Sequence, residues 1–253
     1  YLAYIINPDE SGEDNAPRFD GAHQLPAQHT ADENLEKRIA LMRRNAECHF
    51  DARTCMTLHF GIADVSFNVL LADSLGYLAR MAEVLGYTHD ALYFGEQEKY
   101  VKAAIRKKLH VQNGEFYSHS SITGEHILVK TWNLFMPLYG GLVSDDEAAH
   151  LVQDLLLNTE EFWTPCPVPT VAQSEPSFDP EHGFWRGPVW MAPNWFLYHG
   201  LKRYGYHDVA RELKEKSVAL IEQSGFREHF NPLTGHGLGA QNFTWGGLVL
   251  DME

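Results

Sequence analysis

The feature that most constrains this chain is a series of helix-period segments joined alternately by short and long connections. Apolar residues keep helical spacing throughout ADVSFNVLLADSLGYLARMAEVLGY, with Asp64 as the N-cap and Gly86 as the stop signal. THDALYFGEQEKYVKAAIRKKLHV follows directly, and Thr88 is its predicted cap. No stretch alternates with a period of two, so no strands are expected. The pattern predicts an all-α fold of successive αα-hairpins, as in a helical barrel or solenoid.

The remaining apolar segments repeat this scheme on both sides of the strongest helix. TADENLEKRIALMRRNAECHF has a predicted cap at Thr30 and, at helical spacing, the apolar residues Leu35, Ile39 and Met42, which indicate an amphipathic helix. SDDEAAHLVQDLLLN begins with Ser144 and acidic residues in its first turn. VWMAPNWFLYHGLKRYG and HDVARELKEKSVALIEQSG form a further pair, and a last apolar segment runs from FTWGGLVLD to the end of the sequence.

Four connections are unlike ordinary linkers. Each mixes Gly or Pro with aromatic, charged and amide residues; they are 7–21, 111–130, 162–188 and 225–245. The alternate connections, such as LGYTHD and YGYHD, are short and plain. Long, functionally equipped loops at one end and short turns at the other predict that the functional site lies on one face of the fold.

Charge and cysteine content restrict the partners and the compartment. The formal net charge of −14 repels phosphate backbones and anionic lipids, so neither nucleic acid nor a membrane is an expected partner. No apolar run approaches the roughly 18 residues of a membrane span. Cys48, Cys55 and Cys166 contain no CxxC pair, and their odd number and scattered spacing argue against a disulfide framework and favour a reducing, cytoplasmic location. The 14 histidines form no HExxH or comparable pair, so no metal site is expected.

Four ordered motifs carry a family resemblance: SGEDNAPRFD, PVPTVAQSEPSFDP, FWRGPVWMAPNWFLYHGLKRYG and FREHFNPLTGHGLGAQNFTWGGLVLD. Together they resemble glycoside hydrolase family 63, and especially its bacterial members that act on small α-glucosides and α-mannosides such as glucosylglycerate and mannosylglycerate. The resemblance implies an (α/α)6 barrel with the active site in its mouth. Since about eight of that barrel's helices are visible here, residues 1–253 are expected to form a partial catalytic barrel that lacks the N-terminal helices, with a lid or insertion at about 21–60.

The same resemblance implies two catalytic carboxylates. It places the general acid at Asp14, within SGEDNAPRFD, and the general base at Glu228, within FREHFNPLTGHGLG. Without the resemblance, the preferred interpretations are that Asp14 caps a turn and that Glu228 lies on the surface. Glu13 and, more weakly, Glu10 compete with Asp14 for the role of the acid. HGLGAQ lacks the spacing of a nucleotide-binding glycine loop and follows no predicted strand, so a nucleotide site is rejected.

Aromatic and basic residues supply the expected substrate-binding surface. An indole face stacks on the apolar face of a pyranose, and a guanidinium binds hydroxyls or a carboxylate in bidentate fashion. The substrate-binding candidates are Trp185, Arg186, Trp190, Gln241, Trp245 and Arg18. The alternative for the two tryptophans of FWRGPVW is packing between barrel helices. Arg18 and Asp20 are also expected to form an ion pair that supports the Asp14 loop.

These residues predict an inverting α-glycoside hydrolase. Such an enzyme needs a protonated carboxyl to donate to the leaving oxygen and an ionised one to activate water, about 6.5–9.5 Å away. The expected partner is a small carbohydrate substrate, and the two acids with a water require no cofactor. Two alternatives stay open, since fold does not determine function. One is a sugar epimerase or isomerase on the same barrel, in which histidines transfer the protons, and the other is a non-catalytic carbohydrate-binding barrel fragment.

Overall fold

The computed structural model describes residues 1–253 and is mainly helical. Its α-helices are α1 (Asp20–His23), α2 (Ala31–Glu47), α3 (Ala52–Leu58), α4 (Val65–Val84), α5 (Thr88–Lys108), α6 (Met136–Gly140), α7 (Asp145–Ala149), α8 (Met191–Arg203) and α9 (His207–Ser224). A π-helical segment, His150–Leu156, continues α7, and 3-10 segments cover Pro8–Ser11, Pro17–Phe19, Trp132–Phe135 and Thr244–Asp251. No helix combines the length and the apolar character that crossing a membrane requires.

Three short antiparallel strand pairs accompany the helices. The pairs are β1 (Ile62–Ala63) with β4 (His119–Ser120), β2 (His110–Gln112) with β3 (Glu115–Phe116), and β5 (Arg227–Phe230) with β6 (Gly237–Gln241). The expectation of no strands was therefore wrong. Each strand has only two to five residues, which is too short for a period of two to be recognised in the sequence.

The long helices form two layers of αα pairs. α4 packs against α5, α6 lies against both α4 and α8, and α8 packs against α9. One apolar core joins α4 and α5 to Trp132 and Met136. A larger one joins α6, α7 and its π-helical continuation to α8 and α9. Helices α4, α6 and α8 thus pack side by side, with α5 behind α4 and α9 behind α8, as two of the predicted hairpins require.

Most predicted helix ends are confirmed. Asp64 caps α4 by accepting a hydrogen bond from the Phe67 backbone N–H at 3.1 Å, and the side chains of Thr30 and Ser144 start α2 and α7 in capping boxes. Thr88 is not a cap but the first residue of α5, where the cap position is Tyr87 without a side-chain hydrogen bond. The helix begins one residue early because the left-handed Gly86 completes the reversal from α4 within three residues.

Helix α2 forms as predicted, but its apolar stripe does not face the core. The three residues of that stripe are 39–45% exposed: Leu35, Ile39 and Met42. A neighbouring side holds the helix, because Leu41 packs with Phe19 and Phe60, and the Asn45 amide donates to the Ile6 carbonyl at 2.8 Å. Local periodicity identified the helix, but long-range packing determined its buried face.

Two of the three cysteines are joined. A disulfide links Cys48, at the end of α2, to Cys55 in α3, and Cys166 is free. The expectation against a disulfide was wrong, since a reversal through His49 and Phe50 brings the two Cα atoms to 5.6 Å. That distance is within the range of disulfide geometry, and sequence spacing alone does not reveal it.

Candidate active site

The four long connections meet on one face, at the N-terminal ends of α4 and α8 and of the 3-10 segment before α6. In the first connection, the Asn15 amide donates to the Gly183 carbonyl at 3.0 Å and accepts from the Trp185 N–H at 3.1 Å. The third connection is also bound to the second and the fourth through main-chain hydrogen bonds, from Ala172 to Lys130 and from Cys166 to Pro232. The four connections therefore meet on a single face, as predicted, and this face is the candidate site.

Glu13 belongs to a buried ionic cluster beneath this face. Only 4% of Glu13 is exposed. Arg18 donates to both of its carboxylate oxygens, at 2.9 and 3.1 Å, and through Nε to Asp64 at 2.7 Å. The Trp132 indole also donates to Glu13, at 2.9 Å. Burial raises the pKa of Glu13 against the opposing charge of Arg18, while at Asp64 burial is outweighed by Arg18 and the α4 cap hydrogen bonds, which lower its pKa.

The predicted ion pair between Arg18 and Asp20 is absent. Asp20 is instead held by Arg186, whose two Nη atoms lie 2.9 and 2.8 Å from its oxygens, and by His29 Nε2 at 3.0 Å. Arg18 binds Glu13 and Asp64 because these carboxylates lie within reach of its fork in the interior. Both arginines that were expected to bind substrate are thus buried and fully engaged in joining loops.

Asp14 is partly exposed and is paired with an arginine of α2. Its side chain is 28% exposed, and its Oδ2 lies 2.8 Å from Nη1 of Arg38, which projects from α2. Arg38 also binds Asp9. Burial raises the pKa of Asp14, and the charge of Arg38 opposes that shift. The pKa values of Asp14 and Glu13 are both raised by burial, but only Asp14 is accessible.

Glu228 lies in β5 opposite a bulge in β6. The bulge falls between the strand pairs Arg227–Gln241 and His229–Leu238, so that Gly239 and Ala240 both face Glu228. Gly239 is left-handed, with φ +64°, and the Ala240 N–H donates to Glu228 Oε2 at 3.0 Å. A Cβ at position 239 would lie 2.5 Å from that oxygen. The bulge therefore both makes room for the Glu228 carboxylate and fixes its orientation.

Segment 184–190 contributes two tryptophans to an aromatic cluster that also includes His229 and Trp245. The rings of Trp185 and Trp190 are parallel, with centroids 4.0 Å apart, and His229 stacks on Trp190 at 5.0 Å. Trp185 and Trp190 are 4% and 2% exposed, which favours the packing interpretation for both. Trp245 contacts them edge-on and is 37% exposed. It is the accessible indole of the cluster, and Gln241 is exposed beside it at the end of β6.

One segment, residues 184–190, connects the loop of Asp14 to the strand of Glu228. At its start, the Trp185 N–H is bound by Asn15, the residue after Asp14. At its end, Val189 and Phe230 exchange two main-chain hydrogen bonds, at 2.8 and 2.9 Å. The loop that carries Asp14 and the strand that carries Glu228, from opposite ends of the chain, are thereby joined through one segment.

Several residues that shape the site were not predicted. Arg38 could not be recognised as part of the site from the sequence, because basic residues are common on the polar face of a helix. Asn15 and Phe184 adjoin predicted residues, but only the fold brings Gly183 and Trp185 to the Asn15 side chain, and the Trp190 indole to the Phe184 carbonyl. Asp64 was predicted only as a cap. No group of three or more His, Cys, Asp or Glu side chains is arranged to hold a metal ion.

Comparison with known proteins identifies the family. The family model for the mannosylglycerate hydrolase MGH1-like glycoside hydrolase domain matches residues 2–246. The chain is 32% identical to the mannosylglycerate hydrolase of Rubrobacter radiotolerans, across 99% of this chain and 62% of that protein. It is 25% identical to the glucosylglycerate hydrolase of Mycolicibacterium hassiacum, across 96% of this chain and 60% of that protein.

The fold agrees with a solved member. The crystal structure of the glycoside hydrolase family 63 mannosylglycerate hydrolase from Thermus thermophilus in complex with glucose matches with a TM-score of 0.88 and 29% identity, covering 99% of this chain and 63% of that one. The chain spans about three-fifths of the length of these relatives. With its whole length matched in sequence and in fold, the chain belongs to the mannosylglycerate hydrolase MGH1-like domain family of glycoside hydrolase family 63.

Proposed function

We propose that this protein is an inverting α-glycosidase for a small α-glucoside or α-mannoside of the glucosylglycerate or mannosylglycerate class. Asp14 is its general acid and Glu228 its general base. The observation that carries the proposal is the segment 184–190, whose two ends bind the Asp14 loop and the Glu228 strand. Relatives named as mannosylglycerate and glucosylglycerate hydrolases support the substrate class.

The chemistry follows from the two carboxyl environments. Protonated Asp14 donates its proton to the leaving oxygen, and burial favours this form by raising its pKa. Glu228, oriented by the Ala240 N–H, accepts a proton from a water that attacks the anomeric carbon from the opposite face. Trp245 offers an accessible indole to the apolar face of the sugar, and Gln241 an amide to its hydroxyls.

We propose further that the chain forms part of an (α/α)6 barrel. The pairs α4/α5, α6/α7 and α8/α9 correspond to three of its six hairpins, and the site lies at the N-terminal ends of the inner helices. Apolar side chains exposed on α4 and α5 support additional hairpins beside them: Tyr77, Leu78, Met81, Val84, Leu85, Leu92, Tyr93 and Tyr100. Residues 21–60, which carry Arg38 to Asp14, are the proposed lid or insertion.

A substrate panel with matched variants tests the function. The protein is incubated with α-glucosides and α-mannosides, including the glycerate conjugates, and sugar release is measured. Asp14→Asn and Glu228→Gln should each lose about 10²–10⁴-fold or more in turnover while the melting temperature is retained. Glu222→Gln, on the exposed side of α9, is the control and should retain full activity. An Asp14→Asn variant with full activity would contradict the proposal, as would binding of every sugar without turnover.

A further inference from the structure

Arg38 contacts Asp14 in a way that differs from the other buried ion pairs. Arg18 and Arg186 each hold a carboxylate with two nitrogens. Arg38 instead uses one nitrogen, Nη1, for two carboxylates, Asp14 and Asp9. Its Nε is buried without a hydrogen-bond partner. Asp14 is thus held through Oδ2 alone, by a cation that a second carboxylate also attracts.

Arg38 and Asp9 both lie on elements that are anchored to the rest of the protein. Arg38 lies one turn before Leu41, whose side chain is fully buried in the core below α2. Asp9 is in the first 3-10 segment, where its N–H donates to the Asn7 cap at 2.9 Å. Because neither element is a free loop, the sharing of Arg38 is a built feature of the Asp14 environment.

We propose that Arg38 is a positioning residue that holds the Asp14 carboxyl for proton donation and, through its sharing with Asp9, sets the pH above which that carboxyl loses its proton. This inference rests on the proposed role of Asp14 as the acid. An arginine bound to Asp14 alone would keep the carboxyl ionised. Without an arginine, the carboxyl would have no fixed orientation. Sharing with Asp9 weakens the electrostatic hold while the contact is kept.

The surroundings of Asp14 shift its pKa in both directions. Burial raises its pKa, Arg38 from α2 lowers it, and Asp9 from the 3-10 segment raises it. His23 of α1 is influenced by the charge of Arg38, but burial and the nearby cations of α2 lower its pKa to about 4, so it is neutral near pH 7. Arg38 and Asp9 are therefore the two charges whose removal should move the titration of Asp14, in opposite directions.

The pH dependence of kcat/KM tests this opposition. The rate falls as pH rises through the pKa of the general acid, which forms the alkaline limb of the profile. Arg38→Gln removes the cation and should move that limb to higher pH by about one unit or more, with a lower kcat from the lost positioning. Asp9→Asn leaves Arg38 to Asp14 alone and should move the limb to lower pH. Arg43→Gln, exposed on the same helix, should leave the profile unchanged.

Carboxyl-carbon NMR on aspartate-labelled protein gives a readout independent of activity. The Asp14 signal is assigned by its loss in Asp14→Asn, and its titration midpoint should rise in Arg38→Gln and fall in Asp9→Asn. The inference is overturned if the Asp14 titration midpoint is the same in the wild type and both variants, or if both variants shift it in the same direction. If the Arg38→Gln variant does not fold, the Asp9→Asn variant is sufficient: an Asp14 titration midpoint that is not lowered in this variant overturns the inference. Activity in Asp14→Asn would disprove the acid assignment instead, and the titration still tests the role of Arg38.

Discussion

Glu13 and Asp14 are neighbours in the chain but occupy different environments: the Glu13 carboxylate is bound by Arg18 and Trp132 in the interior, while the Asp14 side chain is 28% exposed. Sequence alone did not separate these two acids as proton donors. Burial separates them, because a carboxyl with both oxygens occupied by protein donors cannot approach a glycosidic oxygen. The first residue supports the loop, and the second is available at its surface.

Removing the cation of the Glu13 cluster should cost stability. Arg18→Gln leaves the buried carboxylates of Glu13 and Asp64 without a counter-charge, and the free energy of unfolding should fall by about 3–5 kcal/mol. Glu13→Gln should cost less, because Arg18 retains Asp64. Urea denaturation at neutral pH measures both, with Arg43→Gln as the surface control. Equal stability of Arg18→Gln and the control would show that the cluster contributes nothing.

The buried Trp185 and the partly exposed Trp245 should respond differently to truncation. Trp185→Ala opens a cavity in a stacked pair of buried rings and should lower the free energy of unfolding by about 3–5 kcal/mol. Trp245→Ala, at a partly exposed ring, should cost less than half of that and mainly raise KM. Thermal melts and steady-state kinetics on the same preparations separate the effects. A stable Trp185→Ala variant with a raised KM would restore the substrate-stacking role predicted for Trp185.

The stereochemistry of the first product tests the two-carboxylate mechanism without knowledge of the natural substrate. A single displacement by the water that Glu228 activates converts an α-glycoside into the β-anomer. Proton NMR of the anomeric signals in the first minutes, before mutarotation, should therefore show β product. An initial α product would require a covalent intermediate and carboxylates only about 5–5.5 Å apart, and would exclude the role given to Glu228.

Reduction of the disulfide should weaken the region that carries Arg38. The Cys48–Cys55 bond closes a short loop between α2 and α3, and its loss should lower the free energy of unfolding by about 2–3 kcal/mol. Urea denaturation with and without dithiothreitol measures the change. A Cys48→Ser/Cys55→Ser variant should match the reduced protein and be insensitive to reductant. A wild-type transition unchanged by dithiothreitol would contradict this prediction.

The sequence predicts those features that depend on neighbouring residues. Asp64 and Gly86 delimit α4 because a cap and a left-handed stop act within one turn of the helix end. The same locality explains the Thr30 and Ser144 caps. It also explains why the four long connections could be assigned to one face, since their composition differs from that of the short turns at the other end.

The features that could not be predicted depend on distant partners. Arg18 binds Asp64, 46 residues away, rather than the nearby Asp20. The exposed stripe of α2 follows from the side of the helix on which Leu41 packs into a core. The β5/β6 hairpin was missed because the Gly239 bulge interrupts its short ladder, and the same glycine had been weighed only as part of a rejected nucleotide loop.

The link from Asn15 through residues 184–190 to Phe230 bears on how such a site can diverge in evolution. The hydrogen bond from Trp185 to Asn15, and those between Val189 and Phe230, use main-chain groups of the segment. Side chains at the accessible surface, such as Gln241 and Trp245, can therefore be exchanged without altering that link. In the proposed glycosidase, selectivity for the sugar is therefore free to drift from one descendant to another, whereas an insertion or deletion within the segment would displace the two proposed catalytic carboxylates.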